Sequence, residues 1–199
     1  MAQSSLKFLL GLKRPRQPAQ TLADQSLHPL TVPNVIGLIR LLLIPVFSAV
    51  ALSSSNQPNS LAVVLFVVIA CGDYLDGLVA RMTGQYSRFG ALLDPLTDRL
   101  LILATVIVCW HFDLLPHWAL AIVIIREVFM LVIAQVALRK SLNIKINWPG
   151  RIAMFPIFGA LFFALVGLGV VGEILLYIGL TLALVATGLY LRSGWRLVV

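Results

Sequence analysis

From residue 31 onward, long apolar runs alternate with short polar joints. Six runs stand out, at residues 33–53, 60–82, 90–110, 117–138, 150–170 and 172–192. Each is near the roughly 20 residues that a helix needs to cross the hydrocarbon core of a bilayer. None has the two-residue alternation of a membrane-barrel strand, which leaves helices as the spanning structure. The pattern predicts an all-α integral membrane protein. Six transmembrane helices form one domain over 31–199, preceded by a short N-terminal cytoplasmic arm over 1–30. The arm is polar and basic and holds three of the 10 prolines. A short interfacial helix is expected at 4–12. No convincing internal repeat of the kind that transporters use is visible.

Composition agrees. Hydrophobic residues make up 60% of the 199 and charged residues 12%, against about 25% charged in soluble domains. Mean hydropathy is +0.98. On a soluble chain the formal charge of +7 would suggest nucleic acid. Here the charges flank apolar runs, so anionic membrane lipids are the expected partner and nucleic acid is not. The joints at 53–59, at 111–117 and near Gly172 carry no Lys or Arg, whereas the opposite set carries twelve. By the positive-inside rule both termini and the 83–89 joint face the cytoplasm, in a multi-pass protein of the cell's inner membrane. Near the N-terminus, LKFLLGL followed by KRPR is too short for a signal-peptide core, so no cleavage is expected. Cys71 and Cys109 sit in different apolar runs, so neither a disulfide nor a zinc site is expected. Trp110, Trp118, Trp148 and Trp195 fall near predicted span ends, as an aromatic belt does. His28, His111 and His117 read as interfacial polar residues.

Four carboxylates break the apolar pattern. Asp73, Asp76, Asp94 and Asp98 are half of the 8 acidic residues and fall within DYLDGLVARMTGQYSRFGALLDPLTD. Carboxylates in such a setting are costly and mark function. Asp73 and Asp76 share one helix face at i,i+3, and Asp94 and Asp98 share another at i,i+4. Thr83-Gly84 is a plausible turn between them. Asp73 and Asp94 each lie roughly 15 Å from that bend. A hairpin can therefore bring all four into one cytoplasm-facing pocket. Four such carboxylates repel, and need shared protons or cations. Oxygen donors without His or Cys suit Mg²⁺, Mn²⁺ or Ca²⁺. Two such ions about 4 Å apart suit displacement at phosphorus.

The full pattern, D-x2-D-G-x2-A-R-x8-G-x3-D-x3-D, resembles without a gap the signature of the CDP-alcohol phosphatidyltransferases. These membrane enzymes move a phosphoalcohol from a CDP-linked donor to an acceptor hydroxyl. The resemblance implies that Asp73, Asp76 and Asp94 bind two divalent cations, Mg²⁺ or Mn²⁺. Asp98 would complete that site and act as base toward the acceptor hydroxyl. A free aspartate near pKa 3.9 is a weak base, which suffices where metals and positioning carry most of the catalysis. Asp73, Gly77, Ala80, Arg81 and Gly90 would line the CDP site. The glycines could equally serve close helix packing, and Arg81 could equally be a membrane-edge anchor.

The flanking segments bear on the acceptor. Pro33, Asn34 and Arg40 match a Pro-Asn-x-x-Thr-x-x-Arg element of bacterial phosphatidylglycerophosphate synthases, with Gly37 in place of Thr. Asn34 either reaches the nucleotide or caps the first helix. Arg40, inside a span, needs a partner, and a motif aspartate is one candidate. Arg126-Glu127 is similar to a pair in the same synthases and in related cardiolipin synthases. Adjacent helical residues point apart, so these two are not expected to bond to each other. They either face the acceptor cavity or belong to an internal ion network. Arg126, Arg139, Lys145 and Arg151 are the candidates for binding a phosphorylated acceptor; the 139–151 joint could instead touch anionic lipid. A Gly-Lys-x-Lys-Thr element common here in those synthases is Gly150-Arg151-Ile152-Ala153-Met154, with only one basic residue left. The expected reaction is phosphatidyl transfer from CDP-diacylglycerol to glycerol 3-phosphate with release of CMP. The alternatives are phosphatidylglycerol as acceptor (a cardiolipin synthase), an inositol phosphate as acceptor, or, in a different class, a cation transporter. The resemblance also implies a homodimer; the small-residue face of Gly167, Gly169 and Gly172 could pack a neighbour or equally pack within the chain.

Overall fold

The computed structural model describes residues 31–83, 88–139 and 148–195. Within helices, the side chains of Asp76, Ala80, Arg81, Arg139 and Arg151 lie outside the description. The N-terminal arm, the expected turn at Gly84 and Lys145 also lie outside it.

All regular structure among the described residues is helical. Six helices follow one another: α1 (Val32–Leu52), α2 (Ser60–Thr83), α3 (Arg88–His111), α4 (His117–Arg139), α5 (Trp148–Leu165) and α6 (Gly169–Trp195). Among the described residues, Val32–Leu52, Ser60–Val79 and Gly169–Leu189 are long and apolar enough to cross a membrane, and Ala153–Leu165 is a shorter apolar stretch. Large apolar side chains cover the outside: Phe155 is 79% exposed, Val170 74% and Ile125 68%. Such a surface suits lipid and not water.

The helix ends have local causes. Pro33 sits in the first turn of α1, where its missing N–H is not needed. The Asn59 side chain accepts from the Ala62 N–H at 2.8 Å and caps α2. Asp113, at φ 54°, ends α3, with Leu114 N–H bonded to Cys109 O at 3.0 Å. Gly167, at φ 87°, ends α5: Leu168 N–H bonds Phe163 O at 2.8 Å and Gly167 N–H bonds Ala164 O at 3.1 Å. That paired arrangement closes a helix through one left-handed residue. It explains why α5 stops at Leu165 and α6 begins at Gly169, where hydropathy alone predicted a run to 170 and a restart at 172.

Two compact units divide the chain: residues up to Leu43 with Ile69–Asp98, and Ile44–Val68 with residues from Arg99 on. The second holds an apolar core. Phe66 lies 6.2 Å from Phe47, 6.2 Å from Phe158 and 6.4 Å from Phe162, ring centre to ring centre. Leu101, Ile102, Leu120, Ile157, Leu161 and Leu176 are fully buried or nearly so. Here α5 and α6 pack backbone to backbone. A Cβ on Gly172 would stand 2.9 Å from Ala160 O and 3.2 Å from Ala164 N. Gly172 thus packs within the chain. Backbone atoms cannot swing aside as a side-chain end can, so Gly172→Ala is expected to lower the melting temperature by roughly 5 °C. Thermal unfolding in detergent measures this, and an unchanged midpoint would refute the close approach.

Candidate active site

The first unit is built from the parts of α1, α2 and α3 that carry the polar motif. Its centre is Arg40, whose side chain is 3% exposed. Its Nε donates to the Ile69 carbonyl at 2.8 Å. Nη1 donates to Asp73 Oδ1 at 3.2 Å and Nη2 to Asp98 Oδ1 at 2.9 Å. One guanidinium therefore joins α1 to a carboxylate on each of the two motif helices. A planar fork with fixed donor directions suits this, and a lysine would not reproduce it. The Asp73 side chain is 45% exposed and that of Asp98 28%, so each carboxylate keeps a path to solvent.

One glycine makes the approach possible. A Cβ on Gly72 would fall 2.7 Å from Arg40 Cδ and 2.9 Å from its Cγ, so only glycine leaves room for the stem. A Cβ on Gly37 would fall 2.7 Å from Leu93 Cδ2 and 3.9 Å from Asp94 Oδ1. Gly37 is buried, and the atom nearest to where its Cβ would stand is the end of the Leu93 side chain, which can swing aside. The sequence reading singled out Gly77 and Gly90 and passed over Gly72. Its signal was its place, a glycine directly before Asp73 and close in sequence to Ala70 and Cys71. Gly77 differs, since nothing lies within 4 Å of where its Cβ would be. Gly90 is half-buried near the start of α3.

Asn34 is 2% exposed and is the third residue of α1. That places it inside the first turn, three residues after Thr31 at the helix boundary. Asp94 lies one turn before Asp98 on α3 and is half-buried. Asp76, Ala80 and Arg81 lie on α2, with side chains outside the description. Among the described residues, no group of three or more His, Cys, Asp or Glu side chains is gathered closely enough to hold a metal ion. Two of the four motif carboxylates, Asp73 and Asp98, are thus seen brought together, by a guanidinium. The donors that the motif offers are carboxylate oxygens, which suit a hard dication. Arg40 engages one oxygen of each carboxylate, and a carboxylate can accept at both.

The second unit holds a separate charged cluster. Glu127 is fully buried and Arg126 is 7% exposed. Contrary to the sequence expectation, Arg126 Nη1 bonds Glu127 Oε1. The arginine stem is long enough to curl across the angle between adjacent helical positions, which a comparison of Cβ directions does not register. Arg126 Nη1 also lies 3.6 Å from Met154 Sδ. Glu127 Oε2 is 3.7 Å from Arg99 Nε, an ion-pair distance too long for a hydrogen bond. Accordingly Glu127 Oε2 and Arg126 Nε are buried without hydrogen-bond partners among the described residues. Arg139 and Arg151 belong to α4 and α5, with side chains outside the description.

Comparison with known proteins agrees with the motif. A cardiolipin synthase (CMP-forming) of Streptomyces coelicolor is 32% identical over 145 residues, 71% of this chain and 67% of that protein. A CDP-diacylglycerol–glycerol-3-phosphate 3-phosphatidyltransferase of Bacillus subtilis is 34% identical over 108 residues, 48% of this chain and 56% of that protein. A probable phosphatidylglycerophosphate synthase of Mycobacterium tuberculosis is 30% identical over 125 residues, 61% of this chain and 59% of that protein. The chain thus spans between about half and two thirds of the length of these relatives. The family described as CDP-alcohol phosphatidyltransferase matches residues 30–185, which takes in both the aspartate motif and the Arg40 helix. On that match over most of its length, the chain belongs to the CDP-alcohol phosphatidyltransferase family.

Proposed function

We propose that this chain transfers the phosphatidyl group of CDP-diacylglycerol to a hydroxyl of glycerol 3-phosphate and releases CMP. The observation that carries the reading is the meeting of Asp73 and Asp98, one from each motif helix, at Arg40. In this reading six helices cross the membrane, with both termini and the active site on the cytoplasmic side, as the twelve-to-none Lys and Arg asymmetry supports.

Enzymes of this family use a divalent metal. The all-carboxylate donor set fits Mg²⁺ or Mn²⁺, and Asp73, Asp76, Asp94 and Asp98 would hold two such ions. Bound there, the metal supplies charge neutralisation at the phosphoryl oxygens. The chain's own residues do the rest. Asp98, oriented by Arg40, takes the proton of the acceptor hydroxyl. The acceptor oxygen bonds to the phosphorus of the phosphatidyl group, the bond from that phosphorus to the CMP oxygen breaks, and CMP leaves with the electron pair. The open face beside Gly77 leaves space for the nucleotide, with Asn34, Ala80, Arg81 and Gly90 around it. Arg126, Arg139, Lys145 and Arg151 meet the acceptor's phosphate. The active form is a homodimer.

A second reading takes phosphatidylglycerol as the acceptor. Two observations favour it: the Streptomyces relative matches more of the chain than the Bacillus one, and Ala153, where synthases of the first kind often carry a second lysine, is fully buried. The cation-transporter alternative explains the carboxylates but not the family match. CMP release by the purified chain with CDP-diacylglycerol and Mg²⁺ or Mn²⁺ is the test. Glycerol 3-phosphate, phosphatidylglycerol and an inositol phosphate are offered in parallel. Release with glycerol 3-phosphate alone is expected. Release with phosphatidylglycerol alone selects the second reading, and release with no acceptor refutes phosphatidyl transfer.

A further inference from the structure

Arg40 has a feature that a mere brace between helices would not need: one full positive charge shared between two carboxylates. We propose that Arg40 is the standing counter-cation of the Asp73–Asp98 pair and sets how tightly the site takes up divalent metal. The inference rests on the reading that these two aspartates are metal ligands. Two ionised carboxylates at one guanidinium would otherwise repel each other across the gap between α2 and α3. Arg40 offsets part of that repulsion, so the helices stay together before a cation arrives. The same positive charge opposes the incoming dication. Arg40 thereby trades metal affinity for a site assembled in advance.

The geometry locks that charge in place. The bond from Nε to the Ile69 carbonyl, 2.8 Å, uses a helix carbonyl's second lone pair and fixes the plane of the fork. Gly72 leaves the room that the stem occupies, since a Cβ there would stand 2.7 Å from Arg40 Cδ. The Arg40 side chain is only 3% exposed, while the Asp73 and Asp98 side chains that it bonds are 45% and 28% exposed, so the charge is fixed at the edge of a solvent-reached site. At close range one unit charge acting on a dication in a wet site is worth about tenfold in affinity.

The test is thermal unfolding of the full chain in detergent against Mn²⁺ or Mg²⁺ concentration, without nucleotide or acceptor. The wild type is expected to gain stability with metal, and Asp98→Asn to lose most of that gain. Arg40→Gln should melt lower without metal, yet reach half of its metal-induced shift at roughly tenfold lower metal concentration. Arg40→Lys keeps the charge and loses the fork, so its half-saturating concentration should stay within about threefold of wild type. A brace with no electrostatic role predicts the opposite: equal or weaker metal response in Arg40→Gln. That result, or a tenfold weaker response in Arg40→Lys, overturns the counter-cation role while leaving the metal-ligand reading intact. If Arg40→Gln does not fold, the lysine variant alone decides. No metal response in the wild type overturns both.

Discussion

Asp98→Asn is expected to lower the rate of CMP release about a thousandfold while leaving the fold in place. The amide has nearly the same shape as the carboxylate. Its oxygen still accepts from Arg40 Nη2, now 2.9 Å from Asp98 Oδ1. What disappears is the charge and the basic oxygen. An amide does not take a proton from the acceptor hydroxyl, and it is a poorer ligand for a hard cation. A thousandfold loss is about 4 kcal/mol of transition-state stabilisation. Asp73→Asn leaves Asp98 in place and is expected to weaken metal dependence and activity together. Comparing CMP release and melting temperature for both variants separates chemistry from folding. Full activity in Asp98→Asn would remove this residue from the reaction.

The second large effect concerns stability. Glu127→Ala is expected to cost about 3 kcal/mol, roughly 10 °C in melting temperature. Glu127 is fully buried, bonds Arg126 and lies at ion-pair distance from Arg99. Its removal leaves Arg126, itself 7% exposed, as a buried cation without its bonded anion. Unpaired buried charge is among the most destabilising changes a core can receive. Glu127→Gln keeps the shape and one acceptor and should lose less. A wild-type melting temperature in Glu127→Ala would mean that the cluster contributes nothing to the fold. Arg126 also belongs to the proposed acceptor site, so Glu127 variants that still fold should bind the acceptor less well. A raised KM with unchanged kcat is the expected signature.

Much of this protein was legible from residue order alone. Six apolar runs became six helices, because a run of about twenty apolar residues leaves its backbone no partner but itself. The aspartate pattern placed two carboxylates on a face of α2 and two on a face of α3, since 3.6-residue periodicity is a local property. The same spacing, read as a motif, pointed to the family that the comparisons then identified. Helix ends were less legible. The stop at Leu165 depends on the left-handed turn at Gly167, and hydropathy does not encode dihedral angles.

Pairings between helices were decided only by tertiary structure. From the sequence, Arg40 was a cation in want of a partner. Folding gave it two carboxylates, 33 and 58 residues away. That outcome turns on Gly72, whose missing side chain leaves room for the Arg40 stem between α1 and α2, and such close approach leaves no periodic trace along a chain. The Arg126–Glu127 bond shows the same limit at short range, because backbone directions are set by position while a four-bond side chain is steered by what surrounds it. Residue order determined which charges exist and which helix face carries them. Packing determined which charge neutralises which, because electrostatic partnership depends on distances between helices and not along them.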